Sequence, residues 1–209
     1  MIHELRTYTI KTEYGGVREL ERRFGNGIDV RLKYSPLGGF FHTKTGNMSQ
    51  VVHIWPYKDL RDRAESRAAA NRDESNRWPP GIAELFERQE VEILLPAPFM
   101  RPLEPRDAGR LWELRWYDFP PADVGAALES VQAALPQIEK RSPLVGCWTV
   151  DVGPSSGRIY ALSPFKDAQH WQEAQTSGHT DAGWSSMSGV KPLNRGLKLL
   201  EPAHFSPLR

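Results

Sequence analysis

The chain is poor in cysteine, in long apolar runs and in any excess of one charge. Its 209 residues include one cysteine, Cys147, which excludes an internal disulfide framework and a cysteine zinc site. Cys147 lies in an apolar run and reads as a buried, inert thiol rather than a nucleophile. Lys and Arg number 27 against 26 Asp and Glu, a formal net charge of +1, with the two signs interleaved. No basic tract is present to draw nucleic acid or an anionic membrane surface. No apolar run reaches the length of a bilayer-spanning helix. Met1-Ile2-His3-Glu4-Leu5-Arg6 lacks the apolar core of a signal peptide, so no leader is expected and the expected location is the cytoplasm. P-loop, Gly-x-Gly-x-x-Gly and His-Glu-x-x-His patterns do not occur, and the stretch Gly153-Pro154-Ser155-Ser156-Gly157 reads as a hairpin turn rather than a nucleophile elbow.

What the chain does have is an internal repeat. Gln50-Val51-Val52-His53-Ile54-Trp55-Pro56-Tyr57-Lys58-Asp59 returns, weakened, as Arg158-Ile159-Tyr160-Ala161-Leu162-Ser163-Pro164-Phe165-Lys166-Asp167. Glu4-Leu5-Arg6-Thr7-Tyr8 matches Glu113-Leu114-Arg115-Trp116-Tyr117, and Ser35-Pro36-Leu37 matches Ser142-Pro143-Leu144. Leu94-Leu95 matches Leu199-Leu200, so the offset drifts only between 105 and 109 residues. One unit of about a hundred residues has been duplicated, each copy the size of a small domain. The expected boundaries are 1–99 and 111–209, joined by a proline-rich, extended linker at 100–110.

Within each unit the hydrophobic period predicts β-α-β-β-α-β. In the first, a strand over 2–10 leads to a helix over 15–33, with a break expected at Gly25-Asn26-Gly27. A hairpin of 40–44 and 50–55 turns at Gly46-Asn47, and Pro56 ends its second strand. Asp59 caps a polar helix over 60–72 whose packing stripe is Leu60, Ala64 and Ala68. A short helix near 81–87 precedes the strand 90–95. Two helices would cover one sheet face, leaving the other bare and apolar. The simplest cover is the sheet of the other unit, giving an α+β fold of two ferredoxin-like units paired sheet to sheet as an α/β barrel within one chain.

The Glu-Leu-Arg-x-Tyr opening, the Ser-Pro-Leu-Gly-Gly-Phe-Phe step, the run from Gln50 to Arg63 and the closing Glu-Val-Glu-Ile-Leu-Leu-Pro-Ala-Pro-Phe resemble the NIPSNAP family. The likeness is strong over 2–99 and weaker over 111–205, where Val-Val-His-x-Trp has become Ile159-Tyr160-Ala161-Leu162-Ser163. It implies the dimeric α/β barrel superfamily, and a homodimer is expected on the same ground. It implies no established reaction: animal members act through protein partners, and related barrels include cofactor-free monooxygenases and haem-dependent enzymes by fold analogy alone.

Two groups of residues are candidate sites. Period two places Glu4, Arg6 and Tyr8 on one strand face, and Glu113, Arg115 and Tyr117 on its copy. Either these are buried ion pairs that fix the sheets, or they form a pocket floor where an arginine holds an anionic or carbonyl ligand, with Trp55 and Trp148 in the same ligand-binding set. His42 and His53 fall diagonally across the hairpin, with Phe40, Val51 and Trp55 on their face. With Tyr8 they are the candidate catalytic residues of an enzyme acting on a small hydrophobic or carbonyl-bearing substrate in the barrel lumen; the plainer alternative is satisfied core or rim histidines. No metal site is expected and no cofactor is required, haem being the one that the related barrels suggest. His170 and His179 read as surface residues, and Trp78 and Trp184 as packing anchors.

Overall fold

The computed structural model describes residues 1–176 and 190–209. His179 and Trp184 lie outside the described residues. The first half runs β1 (Ile2–Ile10), α1 (Gly16–Leu32), β2 (Gly39–Thr43), β3 (Gln50–Tyr57), α2 (Leu60–Asn71) and β4 (Phe86–Pro96). The second repeats it as β5 (Leu111–Asp118), α3 (Val124–Arg141), β6 (Gly146–Val152), β7 (Arg158–Phe165), α4 (Ala168–Thr176) and β8 (Asn194–Pro202). The predicted β-α-β-β-α-β order therefore holds in both copies. Among the described residues no helix is long and apolar enough to cross a membrane.

Each half hydrogen-bonds its strands antiparallel, and the two sheets join edge to edge into a closed eight-stranded barrel, β1-β3-β2-β8-β5-β7-β6-β4. The seams are β2 with β8 (His42 opposite Glu201) and β4 with β6 (Leu94 opposite Val150). Closure satisfies the edge N–H and C=O groups that either sheet alone would leave unpaired.

The two faces carry different cores. Leu5, Phe41, Val52, Ile54 and Leu94 point into the lumen, where they meet Trp112, Leu114, Trp148 and Leu162 of the second half. Ile2, Tyr8, Ile10, Phe40, Val51 and Trp55 point outward and pack under α1 through Leu20, Phe24 and Ile28. Glycine makes room for the lumen aromatics: a Cβ at Gly39 would run into the Phe41 ring, and one at Gly146 into the Trp148 indole.

Several local expectations are corrected. Helix α1 is unbroken through Gly25-Asn26-Gly27; a Cβ at Gly27 would run into the carbonyl oxygen of Arg77, so the glycine serves close packing rather than a kink. Strand β3 passes through Pro56 to Tyr57. The expected helix at 81–87 is a single tight turn at Ala83–Leu85, and β4 starts at once after it. In α2 the buried residues are Ser66 and Ala70, whereas Leu60 and Ala64 are exposed, so the helix is rotated from its predicted phase. The linker is extended but not free. Met100, Leu103 and Ala108 pack onto the lumen core beside Leu208, and Arg106 bridges to the C-terminal tail, so linker and tail plug one end of the barrel.

Candidate functional site

The alternation in β1 is as predicted, but its polar face looks away from the lumen, under the helices. Glu4 is fully buried. Its Oε1 accepts from Arg6 Nη1 at 2.8 Å and from Arg63 Nη2 of α2 at 2.7 Å, while Arg67 Nη1 stands 3.9 Å from Oε2. Burial opposes the charge on Glu4, but the Arg63 bond and the fields of Arg6, Arg63 and Arg67 outweigh it and hold the carboxyl below its usual range. Arg6 Nε also donates to Tyr8 Oη at 2.6 Å. Arg31 of α1 donates to Tyr57 Oη at 2.7 Å and lies 4.7 Å over the Trp55 ring. Three guanidinium groups thus surround one carboxylate, and a fourth, that of Arg31, adds its field to theirs.

His53 completes this cluster. It is 1% exposed and ringed by Tyr8, Phe24 and Phe40 at centroid distances of 4.7, 5.5 and 5.1 Å. Trp55 Nε1 donates to its Nδ1 at 2.6 Å. An accepting Nδ1 puts the proton on Nε2, and that N–H has no partner. Burial, with Arg6, Arg67 and Arg31 close by, pushes the imidazole well below its ordinary value of 6.5, so the ring is neutral. Arg31 Nη1 and Arg63 Nε are likewise buried without a partner, and so is one acceptor, Glu4 Oε2. Such atoms are rare in folded proteins, and each unmade bond costs about 1–3 kcal/mol. Beside them opens a cavity of about 190 Å³ lined by Tyr8, Phe24, Arg31, Arg67, Trp78 and Phe86.

The second half has the same frame, closed more fully around its carboxylate, although Arg141 Nε is likewise buried without a partner. Glu113 accepts from Arg115 on both oxygens, from Arg141 at 2.6 Å, from Trp171 Nε1 at 2.7 Å and from Gln175 at 3.1 Å. Tyr117 Oη accepts from Arg115 at 3.2 Å. At the repeat offset, Trp171 and Gln175 occupy the places of Arg63 and Arg67, and Ala161 that of His53. Two guanidinium groups serve one carboxylate here, both of whose oxygens are bonded.

The predicted residues therefore fall into three places. Glu4, Arg6, Tyr8, His53 and Trp55 come together beneath α1 and α2. Glu113, Arg115 and Tyr117 form the closed copy. Trp148 is in the lumen, donating to His3 Nδ1 at 2.9 Å, and shares no site with either triplet. His42 sits at the outer rim of β2, bonded to Glu21 at 2.8 Å and Glu201 at 3.1 Å, with no contact to His53. The bond to Glu21 raises the His42 pKa above its ordinary value. A raised folded pKa means that its stabilisation is complete below the unfolded value and disappears as the pH rises through the folded one. His42→Gln should thus cost about 1 kcal/mol at pH 6 and almost nothing at pH 9, read as the shift in urea midpoint. Cys147 is buried, its thiol pushed up to about 12, as expected for an inert group.

Three site residues escaped the sequence reading: Arg31, Arg63 and Arg67. The arginines of α2 read as a solvated, ion-paired face because Asp59, Asp62 and Glu65 are interleaved with them. Arg31 has a counterpart in Arg141, which also reaches its half's carboxylate cluster, but the offset of 110 lies outside the repeat's 105–109 drift, so sequence matching does not pair them. Haem does not fit this site. His53 Nε2 is shut behind the Tyr8 and Phe24 rings, and the neighbouring cavity is smaller than the ~300–1,000 Å³ of sites for drug-sized ligands, let alone a porphyrin.

The model of the NIPSNAP family matches residues 3–101 and again residues 112–207. Protein NipSnap homolog 3B of Homo sapiens is 27% identical over 219 residues, covering 99% of this chain and 85% of the human protein. Protein NipSnap homolog 1 of Danio rerio is 32% identical over 98 residues, which are 46% of this chain and 34% of the zebrafish protein, so the match spans about a third of that relative. An anthrone oxidase-like protein superposes over 99% of this chain and 93% of its own with a TM-score of 0.61 at 12% identity, a likeness of fold alone.

Proposed function

The chain belongs to the NIPSNAP family, and from that premise we propose that it is a small-molecule-binding protein whose first half holds a compact anionic ligand between sheet and helices. One observation carries the reading. Arg6, Arg63 and Arg67 face a single carboxylate, Arg31 stands beside them on the cavity wall, and Arg31 Nη1 is buried without an acceptor. A carboxylate or enolate in the cavity would meet Arg31 and Arg67, which line it, and the ring-lined wall suits an aromatic or flat apolar body. The second half, built on the same frame with Gln175 for Arg67 and both carboxylate oxygens bonded, supports the idea that the first half is open for a purpose.

A catalytic reading, oxidation or isomerisation of a carbonyl-bearing ligand, has less support. The neutral His53 is fixed as a hydrogen-bond donor at Nε2 and has no proton to release near neutral pH.

The test uses benzoate as probe and benzyl alcohol as its neutral counterpart, with thermal shift and isothermal titration as readouts. Benzoate should stabilise the protein and benzyl alcohol should not. Arg67→Gln, which copies the second half, should weaken benzoate binding about tenfold, the value of one charge-assisted hydrogen bond. Equal responses to the two probes, or unchanged binding in Arg67→Gln, would overturn the proposal.

A further inference from the structure

The lumen is plugged at one end and open at the other, and the open end is a cup of about 600 Å³, within the range of ligand sites. Leu5 and Leu114, at matching positions of the two halves, form its floor, and Trp116 and Leu197 add apolar wall. Two groups of opposite charge stand in this cup without meeting. Glu92 is 7% exposed; its Oε2 accepts from Tyr160 Oη at 2.8 Å, and its Oε1 is buried with no partner. Lys198 Nζ donates to Gln50 Oε1 at 2.8 Å, which occupies one of its three N–H bonds. The remaining charges of the cup are accounted for. Arg158 is bonded to Asp118 and Tyr160, and Arg88 is paired with Glu90.

We propose that this cup is a second ligand site, distinct from the one beneath the helices, and that it takes a small zwitterion with an apolar side chain: an α-amino acid or a close relative. The ammonium would bond Glu92 Oε1, the carboxylate would take the free N–H groups of Lys198, and the side chain would lie on Leu5, Leu114 and Trp116. Each protein charge is unfavourable as it stands. Burial raises the Glu92 pKa, and burial lowers that of Lys198. A ligand carrying both complementary charges relieves both at once, whereas a ligand with one charge relieves one and leaves the other. Gly153 keeps the approach clear, because a Cβ there would stand 3.1 Å from Glu92 Oε1.

The experiment is isothermal titration of the full chain, with benzoate held at saturating concentration to occupy the site beneath the helices, against L-phenylalanine, 3-phenylpropionate (no ammonium) and phenethylamine (no carboxylate). L-Phenylalanine should bind, and each single-charge analogue should bind at least tenfold more weakly. Glu92→Gln keeps an oxygen for Tyr160, and Lys198→Met keeps the aliphatic stem, so both should fold; each should weaken L-phenylalanine at least tenfold. Arg67→Gln should leave that binding unchanged while weakening benzoate, which separates this site from the other. The proposal is overturned if L-phenylalanine does not saturate by millimolar concentration, if either analogue binds equally well, or if Arg67→Gln removes the binding.

Discussion

Replacing Glu113 by alanine should destabilise the protein by about 3–5 kcal/mol, the range found when one partner of a buried ion pair is removed. Glu113 is 2% exposed, and its two oxygens are the acceptors for Arg115, Arg141, Trp171 and Gln175. Arg115 and Arg141 are themselves buried. With the carboxylate gone, two guanidinium groups are left in a space that water cannot reach, and a buried unpaired charge is among the costliest defects a fold can carry. The result is read from the urea midpoint at pH 7. Glu113→Gln should lie between wild type and alanine, because it keeps an acceptor but not the charge. The triple variant Glu113→Leu, Arg115→Met, Arg141→Met should regain most of the loss, since the cluster is then apolar throughout. Glu4→Ala should cost less than Glu113→Ala. Its partners Arg63 and Arg67 are a quarter or more exposed and can turn to water. A Glu113→Ala loss below about 1 kcal/mol would mean that the cluster is far better hydrated than its burial indicates.

The same comparison explains why the fold could be read from the sequence and the sites only partly. Strand and helix order depend on local periods, and these survive in both copies: Ile2, Glu4, Arg6 and Tyr8 against Leu111, Glu113, Arg115 and Tyr117. Barrel closure followed from the need to cover a bare apolar face. Which face of β1 points inward did not follow, because both faces of a strand in this barrel are buried. One lies against the opposite sheet and the other against α1 and α2. With Leu5 on one side and Tyr8 on the other, alternation separates the two sets of residues but does not orient them. The lumen cup was missed for a related reason. Glu92 and Lys198 lie on β4 and β8, strands whose polar residues read as solvent-facing in any single hairpin. They come to one place only when β4 closes on β6 and β8 on β2. The phase of α2 was lost because its small residues Ser66 and Ala70, rather than its few larger apolar ones, touch the sheet.

Acidification from pH 7 towards pH 4 should remove several kcal/mol of stability, and two histidines should set the slope. His53 is buried and neutral for the reasons given above. His3 is buried in the lumen, accepting from Trp148 Nε1, and burial, reinforced by the N-terminal charge, lowers it to about 4. For both, the unfolded chain binds a proton near the ordinary value of 6.5 that the folded protein refuses. Stability therefore rises with pH across this window and falls on acidification below about 6.5, by up to about 1.4 kcal/mol per pH unit for each imidazole. His42 has the opposite sign, but its gain is complete once the pH is below the unfolded value; Glu92, whose pKa burial raises, has the opposite sign too and offsets part of the loss in the lower part of the window. Glu4 and Glu113, with depressed pKa values, lose their contributions only below the ordinary carboxylate range, after the histidines have acted. A domain of ordinary stability, about 5–15 kcal/mol, should accordingly approach its acid transition on histidine protonation alone. Urea midpoints at half-unit intervals between pH 7 and pH 4 give the slope. His53→Gln and His3→Gln each keep an acceptor for the tryptophan N–H, and each should halve the slope while lowering stability at pH 7 only modestly. A profile that stays flat from 6.5 to 4.5 would mean that both rings take up protons in the folded state, and that neither is the neutral, buried imidazole described above.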